Sequence, residues 1–268
     1  MGDILGVHGI WQHRKTTQKL SEAWTAGLAA GWPDGAGTAP GVVVPHLSPL
    51  LRPSTGRLGA DDEPTDDELE LIVAAALEYL GDPDDDELAA LVAEGRTLGI
   101  PKVPTPLQRI VQALDGRLGR EHGERIIALV REVAAYLNHD QVRDQVRDAL
   151  LTAHPDPGLV IGHSLGSVIA YDLAVHGVPF PALVTMGSPL GLRTVREHRT
   201  LTTDAGPAPA TWTNVHDRHD PITAGVGLRP FWPHVDDVRV SSTKLSDSHG
   251  AQQYLSSPET GKVVAALL

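Results

Sequence analysis

The stretch "LVIGHSLGSVIAYDLA" (159–174) decides how the chain is read. Leu159, Val160 and Ile161 form a short apolar run that suits a buried strand, and the apolar spacing after Ser164 suits a helix. Between them lies Gly162-His163-Ser164-Leu165-Gly166, a serine framed by two glycines where strand turns sharply into helix. Alone, a G-x-S-x-G pattern is weak evidence in a chain with 27 glycines. With a strand before it and a helix after it, the pattern describes a strained elbow that pushes the hydroxyl out at the top of a sheet. A structural turn needs no serine at its apex. Ser164 is therefore the candidate nucleophile, and the helix N-terminus that follows favours negative charge developing beside it.

Working outward, short apolar or β-branched runs predict further strands at 4–7, 41–47, 182–188, 210–217 and 235–242. A helix is expected over 15–30, with Leu20, Trp24 and Leu28 on one face. Strands alternating with helices predict an α/β fold built on a mainly parallel sheet flanked by helices. The last helical piece before the elbow strand, "DQVRDQVRDALLTA", is expected to be its crossover helix.

About a hundred residues separate the 41–47 strand from the elbow strand, far beyond an ordinary connection. Much of this stretch reads as helix. In "TDDELELIVAAALEYLG", Thr65 and Glu68 form a capping-box pattern and Gly81 sits past the end. In "DPDDDELAALVAEG", Asp82 is the expected cap, with Pro83 in the first turn. A proline-rich break at 96–106 precedes a helical pattern from 106 to 151, interrupted near 116–123 and 138–140. The expected organisation is a core of 1–51 and 126–268 with a helical cap at 52–125. The cap is expected to cover the Ser164 pocket and set substrate choice, packing through Leu69, Ile72, Val73 and Leu77, with its acidic helix starts in solvent.

Composition sets limits. The chain has 268 residues and a net charge of −12, which disfavours a broad nucleic-acid or anionic-membrane surface. It has no cysteine, which excludes disulfides, a thiol nucleophile and cysteine-bound metal. No signal-peptide pattern opens it, Gly2 lacks the partner residue that myristoylation needs, and no apolar run is long enough to span a bilayer. A cytoplasmic location is the resulting expectation. Oligomeric state is not encoded in any pattern found.

Five segments carry a resemblance: "VHGIW", "GHSLGS", "MGSPLG", "NVHDRHDPI" and "SDSHGAQQYL". Across 3–50 and 140–260 the chain resembles the α/β-hydrolases of the lipase/esterase type, in a reduced version that starts at what would be the third strand of the full fold. The resemblance implies a nucleophile, acid and base in that chain order. A serine hydroxyl needs a base, and the base needs an orienting acid. Of thirteen histidines, only His234 and His249 follow the acid candidates. His234 precedes the last strand and so belongs at the opposite edge, which leaves His249. The acid should follow the 210–217 strand; Asp220, before Pro221, matches the family placement, while Asp217 and Asp247 compete with it. The oxyanion-hole donors implied are the backbone N–H groups of Leu165 and Ile10, with Trp11 as the competing neighbour of Ile10. His8 and Gly9 are expected to shape that loop.

The function implied is a serine hydrolase acting on a small-molecule acyl ester, lipid and peptide included among possible substrate types, without cofactor or metal. Thioesterase and peptidase chemistry use the same triad, and a non-catalytic interaction module can share the scaffold. "HDRHD" (216–220) places His216 and His219 three apart beside carboxylates, a spacing that suits a metal, but no other ligands cluster with them. Ser188 in "MGSPLG" reads as a turn residue. Trp11, Trp212, Phe231 and Trp232 are candidates to line an acyl pocket, with simple core packing the alternative for Trp212.

Overall fold

A computed structural model describes residues 4–10, 12, 14–51, 65–84, 86–87, 110, 113–114, 117, 122–202, 209–223, 225–241 and 248–268. Its strands are β1 (Ile4–Val7), β2 (Val42–Val43), β3 (Leu159–His163), β4 (Ala182–Met186), β5 (Thr211–Asp217) and β6 (Asp236–Val240). They form one six-stranded sheet in the order β2-β1-β3-β4-β5-β6, and every pair is parallel. The helices are α1 (Thr17–Gly31), α2 (Asp66–Leu80), α3 (His122–Asn138), α4 (Asp140–Ala153), α5 (Leu165–Val175), α6 (Arg193–Arg196), α7 (Ala251–Leu255) and α8 (Pro258–Leu267). The molecule is α/β, with helices flanking a parallel sheet.

Strand alternation sends side chains to two faces. Ile4, Leu159, Ile161, Val184 and Val215 meet Leu20, Trp24 and Leu28 of α1, Tyr254 and Leu255 of α7 and Val264 of α8. Leu5, Val7, Val160 and Leu183 meet the larger cluster, which holds the buried residues of α2, α3, α4 and α5. The central strands β1, β3 and β4 are buried along their whole length, which is why they read as continuous apolar runs.

The edge strand β2 is two residues long, not the seven expected. Pro45 has no N–H to give, and the other backbone donors here turn to a helix. Val42, Val44 and His46 donate their N–H groups to Thr25 Oγ1, Ser21 Oγ and Thr17 Oγ1 at 2.9, 2.9 and 3.1 Å. Those three hydroxyls are four residues apart along one stripe of α1, so the helix satisfies alternate donors of the edge.

α2 follows its sequence signals closely. Thr65 caps it, the reciprocal box with Glu68 forms, and Gly81 ends it in the left-handed conformation. Its buried face is Glu68, Leu71, Ile72, Ala75, Ala76, Tyr79 and Leu80, so Leu69, Val73 and Leu77 lie at the margin of the face expected to pack. Glu68 is buried, against the expectation for acidic helix starts, because it bonds Thr65 and lies 3.5 Å from His139. In the next segment Asp84, not Asp82, makes the box: Asp84 Oδ1 accepts the Glu87 N–H at 2.8 Å. Most of the segment that follows, like residues 52–64 and 96–106, lies outside the described residues. The expected helical stretch to 151 divides at His139 into α3 and α4, and the expected core boundary at 126 falls inside α3.

Candidate active site

The strand order reverses direction between β1 and β3: β2 lies on one side of β1, and β3 to β6 extend on the other. In open parallel sheets the crevice beyond the carboxyl ends at such a point is where ligands bind. The His8-Gly9-Ile10 loop leaves β1 there, and Ser164 leaves β3 there.

Ser164 has φ 58° and ψ −128°, a conformation that costs an L-residue about 1–3 kcal/mol. Its surroundings hold it in place. The Ser164 N–H donates to the Met186 carbonyl at 3.0 Å, and its own carbonyl accepts the Ser167 N–H at 2.9 Å and the Ser167 hydroxyl at 2.5 Å. The two framing glycines allow close approach. A Cβ on Gly166 would collide with the Val7 carbonyl, and one on Gly162 would sit 2.5 Å from the Gly166 carbonyl oxygen. Gly9 faces the serine itself, where a Cβ would lie 2.6 Å from Ser164 Cβ.

His249, which directly precedes the Gly250 cap of α7, places Nε2 2.9 Å from Ser164 Oγ and Nδ1 2.8 Å from Asp220 Oδ2. Asp220 follows β5 and its carboxylate is fully buried. Its Oδ1 accepts the Ile222 N–H at 2.9 Å and its Oδ2 accepts the Tyr254 hydroxyl at 2.7 Å. One chain of hydrogen bonds thus runs Ser164–His249–Asp220, with Nδ1–H donating to the carboxylate and Nε2 left to accept from the serine. Asp217 does other work: its Oδ1 accepts the His219 N–H at 2.8 Å and fixes the turn after β5. Asp247 and Trp11 lie outside the described residues.

Leu165 follows Ser164 directly, and Ile10 follows Gly9, which lies against Ser164. Among the described residues no hydrogen-bond acceptor takes either backbone N–H; Leu165 opens α5, whose first-turn donors have no intrahelical partner. His8 fixes the first loop. Its Nδ1–H donates to the Gly9 carbonyl at 2.7 Å and its Nε2 accepts the Leu47 N–H at 2.9 Å, joining the loops after β1 and β2.

Three features were not singled out in the sequence. Tyr254 is one. His163 is the second: its ring packs against that of His249 with centroids 4.8 Å apart, and its Nε2–H donates to the His249 carbonyl at 2.8 Å. Burial, then the neighbouring His249, hold His163 well below the ordinary imidazole range, so it adds no positive charge beside His249. Gly187 is the third. At φ 55°, a Cβ there would lie 3.0 Å from Asp220 Oδ2, 3.1 Å from the Tyr254 ring and 3.2 Å from His249 Nδ1. Only a glycine leaves that corner free.

The other candidates lie elsewhere. Trp212 sits near the amino end of β5, about 16 Å from its carboxyl end at 3.3 Å per residue. It packs with Tyr171, Trp232 and His234 at centroid distances of 5.1, 5.2 and 6.0 Å, and Phe231 stands against Trp232. Trp212 is buried in the core at that end of the sheet, Trp232 is partly buried against it, and Phe231 is exposed with the Arg196 guanidinium 4.0 Å over its ring. Ser188 caps the turn Pro189–Gly191 and accepts the Ser167 hydroxyl at 2.7 Å. Among the described residues no group of three or more His, Cys, Asp or Glu side chains could hold a metal ion, and no helix is long and apolar enough to cross a membrane.

His8 also predicts a pH dependence of stability. Burial pulls it from 6.5 down to about 4, with the Gly9 hydrogen bond opposing. The unfolded chain takes up this proton near 6.5 and the folded chain only near 4, so stability is full above 6.5 and falls across that window. At about 1.4 kcal/mol per pH unit the loss is about 3 kcal/mol, and His163 adds to it in the same direction. Urea unfolding at pH 7.5 and 4 should show this loss; equal midpoints would contradict it.

The chain matches no model of a known protein family, no curated protein and no solved structure.

Proposed function

We propose that the protein is a serine hydrolase of the α/β-hydrolase type that cleaves acyl esters through an acyl-enzyme intermediate. The observation that carries the reading is the continuous Ser164–His249–Asp220 hydrogen-bond chain at the switch point of a parallel sheet, with the serine on a strained elbow. Ser164 Oγ attacks the carbonyl carbon while His249 Nε2 takes its proton. The negative charge on the carbonyl oxygen falls to the N–H groups of Leu165 and Ile10. The intermediate collapses, the leaving alkoxide takes the proton from His249, and an ester to Ser164 remains. Water then attacks with His249 again as base, releasing the acid. Asp220 holds the imidazole in the tautomer that accepts from serine and balances its charge when protonated. None of these steps calls on a cofactor.

In this reading α2 belongs to a cap over the site. The Glu78 carboxylate accepts the Arg193 N–H at 2.5 Å and the Thr194 N–H at 3.0 Å, supplying the acceptor that Leu192 cannot give the start of α6. Tyr79 donates to the Ile222 carbonyl at 2.7 Å, on the turn that carries Asp220. The insertion is thereby fastened to the loops after β4 and β5, at the carboxyl edge. Tyr79→Phe should cost about 1 kcal/mol of stability, the usual net worth of one hydrogen bond. It should also lower kcat and change KM unequally for short and long acyl esters. Wild-type kinetics on every ester would make α2 a decoration.

The test of the activity is a panel of acyl esters, thioesters and peptides assayed on purified protein. Turnover of esters above the other two classes supports the reading; turnover of none, at any chain length, contradicts it.

A further inference from the structure

The Asp220 carboxylate is held by more than its histidine. The Tyr254 hydroxyl donates to Oδ2 at 2.7 Å, and this is the same oxygen that takes His249 Nδ1–H at 2.8 Å. The Tyr254 oxygen in turn accepts the Asp217 N–H at 3.2 Å. Tyr254 is fully buried on α7, five residues beyond His249, in a helix anchored to α1 through Gln252 Nε2 and the Ala23 carbonyl at 2.9 Å. Gly187 leaves the space in which all three side chains meet.

We propose that Tyr254 is a positioning residue for the Asp220–His249 pair, fixing the carboxylate oxygen that His249 uses and sharing its charge; this rests on the hydrolase reading above. Two donors on one buried oxygen leave it one orientation. Burial and the Asp220 charge push the phenol well above its ordinary range, so it stays a donor at any working pH. Among the described residues the groups that face the pair are few. His163 faces it from the end of β3, Asp217 with His219 beside it from the end of β5, and Tyr79 from α2. His163 is held neutral, and Tyr79, raised by burial first and Asp220 second, remains protonated. Among the described residues, Tyr254 is thus the side chain besides His249 that touches Oδ2 through a donor.

A hydrogen bond to the carboxylate stabilises its charge and weakens its pull on a protonated imidazole. Removing the hydroxyl strengthens that pull, so the base keeps its proton to higher pH. The experiment follows fluorophosphonate labelling of the full chain by intact mass, as a rate against pH, with Ser164→Ala as the blank. Tyr254→Phe should label about tenfold more slowly at neutral pH, with the acidic limb of the profile displaced to higher pH. Site-specific 3-fluorotyrosine at position 254 keeps the shape and donates more strongly, so it should displace the limb to lower pH. A purely structural tyrosine would give no such pair of opposite displacements. A folded Tyr254→Phe protein with the wild-type rate and profile overturns the proposal. So does an unmoved profile with fluorotyrosine, which decides the matter if Tyr254→Phe does not fold. If the wild-type protein is not labelled at all, the hydrolase reading fails and this proposal falls with it.

Discussion

Ser164→Ala should lower kcat by at least about 10⁴-fold on any acyl substrate that the protein turns over. The loss is large because no other group can stand in: the hydroxyl is the atom that His249 Nε2 faces, at 2.9 Å. The fold should survive. Alanine meets the same φ of 58° as serine, and the backbone bonds to Met186 and Ser167 that hold the elbow do not involve the hydroxyl. Thermal unfolding should therefore change by about 1 kcal/mol or less, the worth of one hydrogen bond. A well-folded Ser164→Ala protein with undiminished hydrolysis would end the account.

Asp220→Asn should be nearly as damaging, by about 10³- to 10⁴-fold in kcat at neutral pH. Both carboxylate oxygens accept: Oδ1 from the Ile222 N–H, Oδ2 from Tyr254 and from His249 Nδ1. Asparagine has one accepting oxygen. If that oxygen stays with Ile222, the amide NH₂ faces Nδ1 and forces the proton onto Nε2. The imidazole then points a donor at Ser164 and cannot take its proton. Asp217→Asn keeps this chain intact, so it should act on stability through the His219 turn and leave kcat within about threefold. Equal losses from the two substitutions, measured side by side, would contradict the assignment of the acid.

Much of this was legible because the informative residues act locally. A glycine before and after Ser164 states that two backbones come close, and the apolar run ahead of it states a buried strand. The Thr65–Glu68 box and Gly81 mark both ends of α2 because capping is settled within one turn. Asp84 was also legible in principle, since Glu87 stands three residues on, whereas Asp82 is followed at that spacing by Asp85. His249 could be chosen by its order along the chain, because order fixes which sheet edge a loop occupies; Asp220 was preferred to Asp217 through the family resemblance at Asp220-Pro221.

Tyr254 was not legible in that way. A tyrosine on the apolar face of a short helix reads as core, and its hydroxyl acquires a role only because α7 passes beneath the turn after β5. The buried face of α2 includes Ile72, with Leu69 and Val73 partly buried against it, but its centre was not legible for a similar reason. Ala75 and Ala76 sit on it because small side chains let α3 approach, and Tyr79 sits on it because its hydroxyl reaches Ile222. Trp212 and Trp232 are large and apolar wherever they stand; only the direction of β5 places them far from Ser164. β2 shortened to two residues because hydroxyls on α1, distant in sequence, take the donors of the segment.

If Ser164 is a nucleophile activated by His249, it should react covalently with an electrophilic phosphonate. The most direct measurement is peptide mapping by mass spectrometry after the native protein has been exposed to a fluorophosphonate. A single phosphonyl adduct is expected on the peptide that contains Ser164, absent from Ser164→Ala and slowed by orders of magnitude in His249→Ala. An unmodified protein, or an adduct on another residue with Ser164 free, would contradict it.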